Sequence, residues 1–435
     1  MPTALGFDFG TTNSSLMLAR GNGEVAALGI ARDGGIEQTV RTALCFWEEF
    51  AAHRTTVKSA AGSQAIEQFL LEGSGSRFLQ SMKSFVANPS FQGTAIFGTR
   101  YSFEDLLDLF FDHLQREART ADIPRRLVVG RPVEFVGGRS DEGLAMLRYE
   151  RGFSRFGFDE IVFVYEPVAA AFYYAQSLQK PATILVGDFG GGTTDFSLMR
   201  FEPRPGGLHA EAIGHAGIGI AGDDFDYRIL HHLVLPRLGR GSEYRSMGKI
   251  LELPPGLFSS FRRWNELSLF RNSRGLRDLK RYIPLAQEPE KLERLIDLVE
   301  DEQGYPLYHA VTDAKRRLSF DHSIEFRFAA LGGDFAPTVT RTEFEGWIAD
   351  DLQRIEATLD DLLTRHDIAR DAVDAVFLTG GTSFIPAIRA LVARRFGADK
   401  IVTGDEHVSI AKGLALIGAT QDLDKWSVKP DGEKA

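Results

Sequence analysis

Short apolar runs bounded by glycine and polar turns alternate along the chain with stretches whose apolar residues recur every three to four positions. The first informative run is Leu5-Gly6-Phe7, followed by Asp8-Phe9-Gly10-Thr11-Thr12-Asn13 and then Ser14-Ser15-Leu16-Met17. It reads as a strand, a tight turn and a second strand, a β-hairpin with an acid, a glycine and hydroxyls at its tip. Some 180 residues on (~180), the pattern returns as Ile184-Leu185-Val186-Gly187, Asp188-Phe189-Gly190-Gly191-Gly192-Thr193-Thr194-Asp195 and Phe196-Ser197-Leu198-Met199. Each copy opens a stretch long enough for a lobe, so a duplicated fold with two hairpin tips is expected.

The intervening elements alternate strand and helix. Ser102 with Asp105 three residues on forms a capping-box-like start, and Leu106, Leu109, Phe110 and Leu114 share one helical face. Residues 127–130 and 161–164 read as buried strands. The second runs into Glu166-Pro167 and an alanine-rich helix, with proline marking the first turn. Residues 376–379 form a strand entering Gly380-Gly381, with a helix following from Pro386. The pattern predicts an α/β fold with mixed sheets. The polar residues after Thr420 are expected to fray.

Composition narrows the function classes. An apolar fraction of 43% excludes disorder for the bulk of the 435 residues. The 44 glycines come without low complexity, so they mark turns and close backbone approaches, some of them around a ligand. A net charge of −10 argues against a general nucleic-acid binder. The single cysteine, Cys45, lies in an apolar run, which suits a buried structural thiol and a reducing compartment. The first residues carry no basic leader, and no run approaches the ~18 apolar residues of a membrane helix. A cytoplasmic protein with no membrane partner is the expectation. Residues 237–281 hold eleven basic residues against four acidic ones, reading as an outlying insertion. It offers either a basic partner surface or a solvated helical face.

The hairpin tips carry the chemistry. Successive backbone N–H groups of a Gly-Gly-Gly-Thr-Thr tip form a nest for phosphate oxygens, and Asp8 and Asp188 could hold Mg²⁺ through its waters. Two copies at matched offsets favour phosphate binding over plain turns. No Gly-x4-Gly-Lys-[Ser/Thr] loop is present, nor a His-Arg-Asp catalytic loop to accompany Asp-Phe-Gly. Residues 217–222 match Gly-x-Gly-x-x-Gly, but mid-chain and after a weak strand signal. His231-His232 lacks companion ligands at zinc spacing. Glu166, at a strand-to-helix turn, could orient a water or simply complement the helix dipole. Lys315 and Ser319 share a helix face with Arg316 nearby, suited to gripping a ribose or base, or else solvated. Lys83 in Gln80-Ser81-Met82-Lys83-Ser84-Phe85 would, taken alone, be an ordinary surface lysine.

In this order, the segments resemble the actin-like ATPase superfamily, and within it the nucleotide-binding domain of DnaK-type heat-shock chaperones. Residues 6–14 resemble the first phosphate loop, Glu166-Pro167-Val168-Ala169-Ala170-Ala171 the first connecting helix, and residues 188–195 the second phosphate loop. Residues 219–226 resemble the family's Gly-Gly-x-Asp-Phe-Asp turn, which reassigns the dinucleotide-like match. Residues 314–319 resemble the adenosine helix, residues 380–386 the adenosine loop, and Asp405-Glu406 through Ala415 the last connecting helix. The likeness spans residues 5–420.

The resemblance implies a duplicated, ribonuclease H-like fold with two lobes around a nucleotide cleft. Lobe I is expected over 1–182 and lobe II over 183–421, with a basic subdomain inserted near 226–330 and a polar tail at 422–435. It implies in-line attack of water on the γ-phosphate of Mg-ATP, with ADP as product. Lys83 would neutralise the transferring group, Glu166 and Asp195 would position the water, and Asp8 and Asp188 would hold hydrated Mg²⁺. Gly10, Thr11, Thr12, Asn13, Gly190, Gly191, Gly192 and Thr193 would surround the phosphates. Gly219, Gly222, Asp223, Lys315, Arg316, Ser319, Gly380, Gly381, Thr382, Phe384 and Asp405 would complete the nucleotide site. There are departures. Thr312 stands where the family has an acid, Phe384 where it has an adenine-stacking arginine, and residues 237–281 differ from the corresponding subdomain. No apolar linker or peptide-binding β-domain follows Thr420, which resembles the short bacterial DnaK-like proteins of the YegD type. The expected function is that of a slow ATP hydrolase, acting as a chaperone or nucleotide-switched regulator with a protein partner or client. A small-molecule kinase of the same superfamily and an actin-like filament protein are the alternatives.

Overall fold

The computed structural model describes residues 3–21, 23–28, 30–32, 35–51, 54–117, 123–135, 140–204, 207–262, 270, 274–301, 303–402 and 408–428. The chain divides into two compact units. One comprises Met1–Ala221, Ile355–Ser383 and Ile388–Ala435, and the other Gly222–Arg354 and Phe384–Ala387.

The first unit holds two sheets of identical strand order. In one, β1 (Ala4–Asp8), β2 (Asn13–Ala19), β3 (Val25–Ala27), β4 (Arg126–Arg131) and β5 (Glu160–Tyr165) run β5-β4-β1-β2-β3. In the other, β6 (Ala182–Phe189), β7 (Thr194–Arg204), β8 (Gly207–Ile218), β9 (Ala375–Thr379) and β10 (Ile401–Val402) run β8-β7-β6-β9-β10. In both, the first three strands are an antiparallel meander and the last two add in parallel to the first. A helix follows the last strand of each set, Glu166–Ala175 after β5 and Ser409–Gly418 after β10. The echo in the sequence is therefore a duplication of architecture, and the mixed α/β class expected from the pattern is the one observed.

Burial explains the composition of the strands. β6 is buried along its whole length, as a central strand covered on both faces must be. Beside the first sheet, Phe7, Phe9, Phe110, Phe111, Tyr149, Phe153 and Phe163 form an aromatic core, with Phe7 edge-on to Phe111 at 5.0 Å. The two connecting helices share a second core in which Ala169, Ala170 and Leu414 meet Val164, Val186 and Phe377. The predicted helix is Phe103–Glu117, and its reciprocal cap forms. The Asp105 carboxylate accepts from the Ser102 backbone N–H at 2.8 Å, and the Asp105 N–H donates to Ser102 Oγ at 3.2 Å. Cys45 is fully buried.

The tail is ordered further than its polarity suggests. Leu423 is buried, Trp426 stands edge-on to Phe172 at 4.8 Å, and Val428 N–H donates to Phe163 O at 2.9 Å. The expected fraying after Thr420 is thus incorrect through Val428, because two well-spaced apolar side chains suffice to dock the segment on the first unit. No described helix is long and apolar enough to cross a membrane.

The second unit is mainly helical. Helices Gly222–Ile229, Pro289–Glu300 and Gly304–Phe320 bury Phe225, Leu292, Leu295, Leu307, Val311 and Leu318. Within the basic stretch, helix Arg274–Tyr282 turns Leu276 and Leu279 inward and leaves Arg274, Arg277, Lys280 and Arg281 exposed. An antiparallel hairpin, Glu243–Ser246 with Lys249–Glu252, belongs to the same stretch.

Candidate functional site

Both predicted hairpins form. In β1–β2, Asp8 pairs in register with Ser15, leaving residues 9–14 to make the turn. A Cβ on Gly10 would lie 2.0 Å from Asn13 O, so only glycine fits there. Thr42 braces this tip, donating its N–H to Thr12 O at 3.0 Å and sharing a 2.8 Å hydroxyl bond with Ser14. In β6–β7, Asp188 faces Asp195 and Phe189 faces Thr194, leaving Gly190, Gly191, Gly192 and Thr193 as the loop. Gly190 N–H donates to Thr193 O at 3.0 Å, which closes that loop. The turn after β9 packs on it. Thr382 Oγ1 donates to Gly190 O at 2.9 Å. A Cβ on Gly380, whose φ is +81°, would lie 2.2 Å from Phe189 O and 2.9 Å from Asp188 Oδ1.

A buried charge cluster belongs to the same unit. Lys83 lies on the single turn Met82–Phe85, and its Nζ donates to Glu166 Oε1 at 2.5 Å. Glu166 begins the helix after β5, with Pro167 in its first turn. Both side chains are less than a tenth exposed. Burial alone would lower the Lys83 ammonium, but Glu166, Tyr149 and Asp8 together outweigh it and the net shift is upward. Burial pushes Asp8 up to about 7, reinforced by Glu166 and opposed by Lys83. Burial also pushes Asp195 up to about 7, against a hydrogen bond from Thr193 and with Glu166 adding to the rise. Asp188 is raised well above its ordinary range by burial, then by Glu166, Asp195 and Asp8.

Three buried carboxylates, with the partly buried Asp8, thus lie within electrostatic reach of one ammonium group. The three aspartates are raised toward their neutral forms, and a nearby cation would favour the ionised ones. Among the described residues no three acidic, histidine or cysteine side chains are grouped to ligate a metal ion.

The remaining predicted residues occupy other places. Gly219 follows β8, and Gly222 and Asp223 open the helix of the second unit. In that unit Lys315 Nζ donates to Asp226 Oδ2 at 2.9 Å and to Gly222 O at 2.8 Å, so its amine is engaged within the protein. Thr312 Oγ1 donates to the same carboxylate oxygen at 3.1 Å. Burial raises Asp226 to about 6, against the pull of Lys315. Arg316 pairs at the surface with Asp313, and Ser319 Oγ donates to Lys315 O. Phe384 lies 6.1 Å from Phe320. Asp405 lies outside the described residues.

Three residues were not singled out from the sequence. Asp226 engages Lys315. Tyr149 is fully buried with no hydrogen-bond partner for its hydroxyl among the described residues, and burial raises its phenol, opposed by Lys83 and reinforced by Glu166. Arg131 is fully buried beside the aromatic rings of Phe135 and Tyr165. Two signals were available: Asp226 closes the Asp-Phe-Asp turn of residues 219–226, and Arg131 ends an apolar strand just before a proline.

The family model described as Hsp70 protein matches residues 155–237 and 282–425, just over half of the chain. The chain belongs to the Hsp70 family. The matched residues of this Hsp70-family chain include Glu166, the second hairpin tip, Lys315 and the Gly380 turn. Similar proteins include a stromal 70 kDa heat shock-related protein, chloroplastic, of Pisum sativum, 25% identical over 280 residues, covering 63% of this chain and 33% of the relative. Heat shock 70 kDa protein 6, chloroplastic, of Arabidopsis thaliana is 25% identical over 280 residues, with coverages of 63% and 32%. Chaperone protein dnaK of Cyanidioschyzon merolae is 25% identical over 279 residues, with coverages of 63% and 38%. The matches thus span between about a third and two fifths of these relatives' own length. The mixed α/β architecture of this Hsp70-family chain is consistent with the actin-like ATPase fold.

Proposed function

We propose that this chain binds Mg-ATP and hydrolyses it slowly, using the nucleotide as a conformational switch for a protein partner or client. The observation that carries the reading is the buried Lys83–Glu166 pair, set among Asp8, Asp188 and Asp195 at the ends of two like hairpins. The N–H groups of residues 10–13 and 191–193 would cradle the phosphates. Asp8 and Asp188 would hold Mg²⁺ through its waters, and that ion would offset charge on the β- and γ-phosphates when bound. Glu166 would orient the attacking water. Asp195, with a carboxyl near pH 7, is suited to accept the water's proton. The Lys83 ammonium would offset negative charge as the γ-phosphoryl group transfers.

Gly219, Gly222, Asp223, Lys315, Arg316, Ser319, Gly380, Gly381, Thr382, Phe384 and Asp405 would take the nucleoside. A chaperone-like role is supported by family membership and by relatives named as heat-shock proteins and dnaK. The buried, solitary Cys45 supports a reducing, cytoplasmic compartment. Phosphate release from ATP, measured alone and with a panel of sugars and metabolites, tests the proposal, with light scattering in parallel. Slow release independent of the panel is expected. A phosphorylated small-molecule product would establish a kinase instead, and ATP-dependent scattering a filament.

A further inference from the structure

We infer that Arg131 is a positioning residue that sets Glu166 and Asp195 together, by holding Tyr165, which leads into Glu166, and residues 132–134, beyond which the Glu134 N–H meets the Asp195 carboxylate. The inference rests on the ATPase reading above.

Arg131 ends β4 and is fully buried, the largest side chain so enclosed among the described residues. Its counter-ion Glu142 is half exposed, so the guanidinium is buried on one side of a lopsided pair. Such burial is a poor route to stability, and the contacts show another purpose. In parallel register Arg131 neighbours Tyr165, the residue before Glu166. The guanidinium lies 4.8 Å from the Tyr165 ring centroid and 4.8 Å from that of Phe135. Tyr165 in turn lies 5.2 Å from the His215 ring on β8, in the other sheet. A row of planar groups therefore runs from the first sheet to the second at the point where the chain enters the Glu166 helix.

The same guanidinium holds the loop after β4. Nε donates to Pro132 O at 2.9 Å and Nη2 to Val133 O at 3.3 Å. The next residue, Glu134, directs its N–H at Asp195 Oδ1 from 3.5 Å. Space there is tight, since a Cβ on Gly217 would lie 2.7 Å from that oxygen and 3.4 Å from Glu134 Cβ. One arginine thus fixes the approach to Glu166 through Tyr165, and that to Asp195 through residues 132–134. A planar, stacking guanidinium fork suits this arrangement, and lysine supplies the charge without the plane.

Misplacement of water-orienting groups by a fraction of an ångström lowers turnover without weakening phosphate binding. Arg131→Met and Tyr165→Leu are each expected to lower kcat by about tenfold or more while the calorimetric Kd for Mg-ATP stays within about threefold. Tyr165→Phe, which keeps the ring, should recover most of the loss, and Arg131→Lys should not. Should Arg131→Met fail to fold, the variants of the partly buried Tyr165 decide alone. A folded Tyr165→Leu with wild-type kcat, or one whose Kd and melting temperature worsen in step with kcat, overturns the inference. A wild-type protein that neither binds nor hydrolyses Mg-ATP overturns the ATPase reading and the inference with it. Normal wild-type turnover with unaffected variants overturns the inference alone.

Discussion

Lys83 Nζ lies 2.5 Å from Glu166 Oε1, a buried ion pair joining residues 83 positions apart. Removing one partner strands the other charge in a dry site, which typically costs about 3–5 kcal/mol, whereas replacing both with apolar groups is often neutral. Lys83→Met is therefore expected to destabilise the protein by about 3 kcal/mol. It should also abolish measurable ATP turnover. Lys83→Met with Glu166→Leu should recover most of the stability and none of the turnover. Urea denaturation of the single and double variants checks this, and equal stability of wild type and Lys83→Met would contradict it.

The aspartates make a pH prediction. Asp8 and Asp195 are raised from 3.8 to about 7, mainly by burial. The folded, nucleotide-free protein therefore holds protons that the unfolded chain releases between about pH 4 and pH 7. Through that window each group removes stability as pH rises, by up to about 1.4 kcal/mol per unit, and the loss levels off above it. Melting curves should show a flatter pH dependence in Asp8→Asn with Asp195→Asn than in wild type. Mg-ATP should narrow the wild-type difference, because a bound cation favours the ionised carboxylates. Parallel pH profiles for wild type and the double variant would refute the assignment.

Tyr149 gives a test of packing. Its hydroxyl is buried without a protein hydrogen-bond partner, and its ring stacks on Phe163 at 6.0 Å with a 13° interplanar angle. Tyr149→Phe keeps the ring and removes a desolvated hydroxyl, so stability should hold or rise by about 1 kcal/mol. A loss of about that size would reveal a buried water bonded to the hydroxyl.

Gly380 links backbone to ligand site. Its positive φ and the 2.2 Å clash that a Cβ would make with Phe189 O force the turn to move in Gly380→Ala. The displaced turn presses on Asp188 and on the loop that Thr382 braces. Mg-ATP affinity should fall about tenfold, some 1.4 kcal/mol, while far-ultraviolet circular dichroism stays unchanged. Wild-type affinity in a folded Gly380→Ala would show that the turn lies away from the ligand.

Local signals made much of this legible. The two hairpins, the Glu166-Pro167 helix start and the Ser102–Asp105 cap are each written within a few consecutive residues, and all form. The identical order of the two sheets follows from the echo between residues 5–17 and 184–199. Long-range pairing hid the rest. Lys83 looks like a surface lysine until Glu166 is brought to it, and the purpose of Arg131 depends on a register partner 34 positions away. The docked tail was misread because Leu423 and Trp426 are single apolar residues in polar surroundings.

Asp188, beside the second hairpin tip, is expected to take part in holding Mg-ATP. Titration calorimetry of Mg-ATP into wild type and Asp188→Ala tests this most directly. Saturable binding by wild type is expected, with affinity weakened at least about thirtyfold in the variant, roughly 2 kcal/mol. Equal affinity in the two proteins, or no binding by wild type, would contradict it.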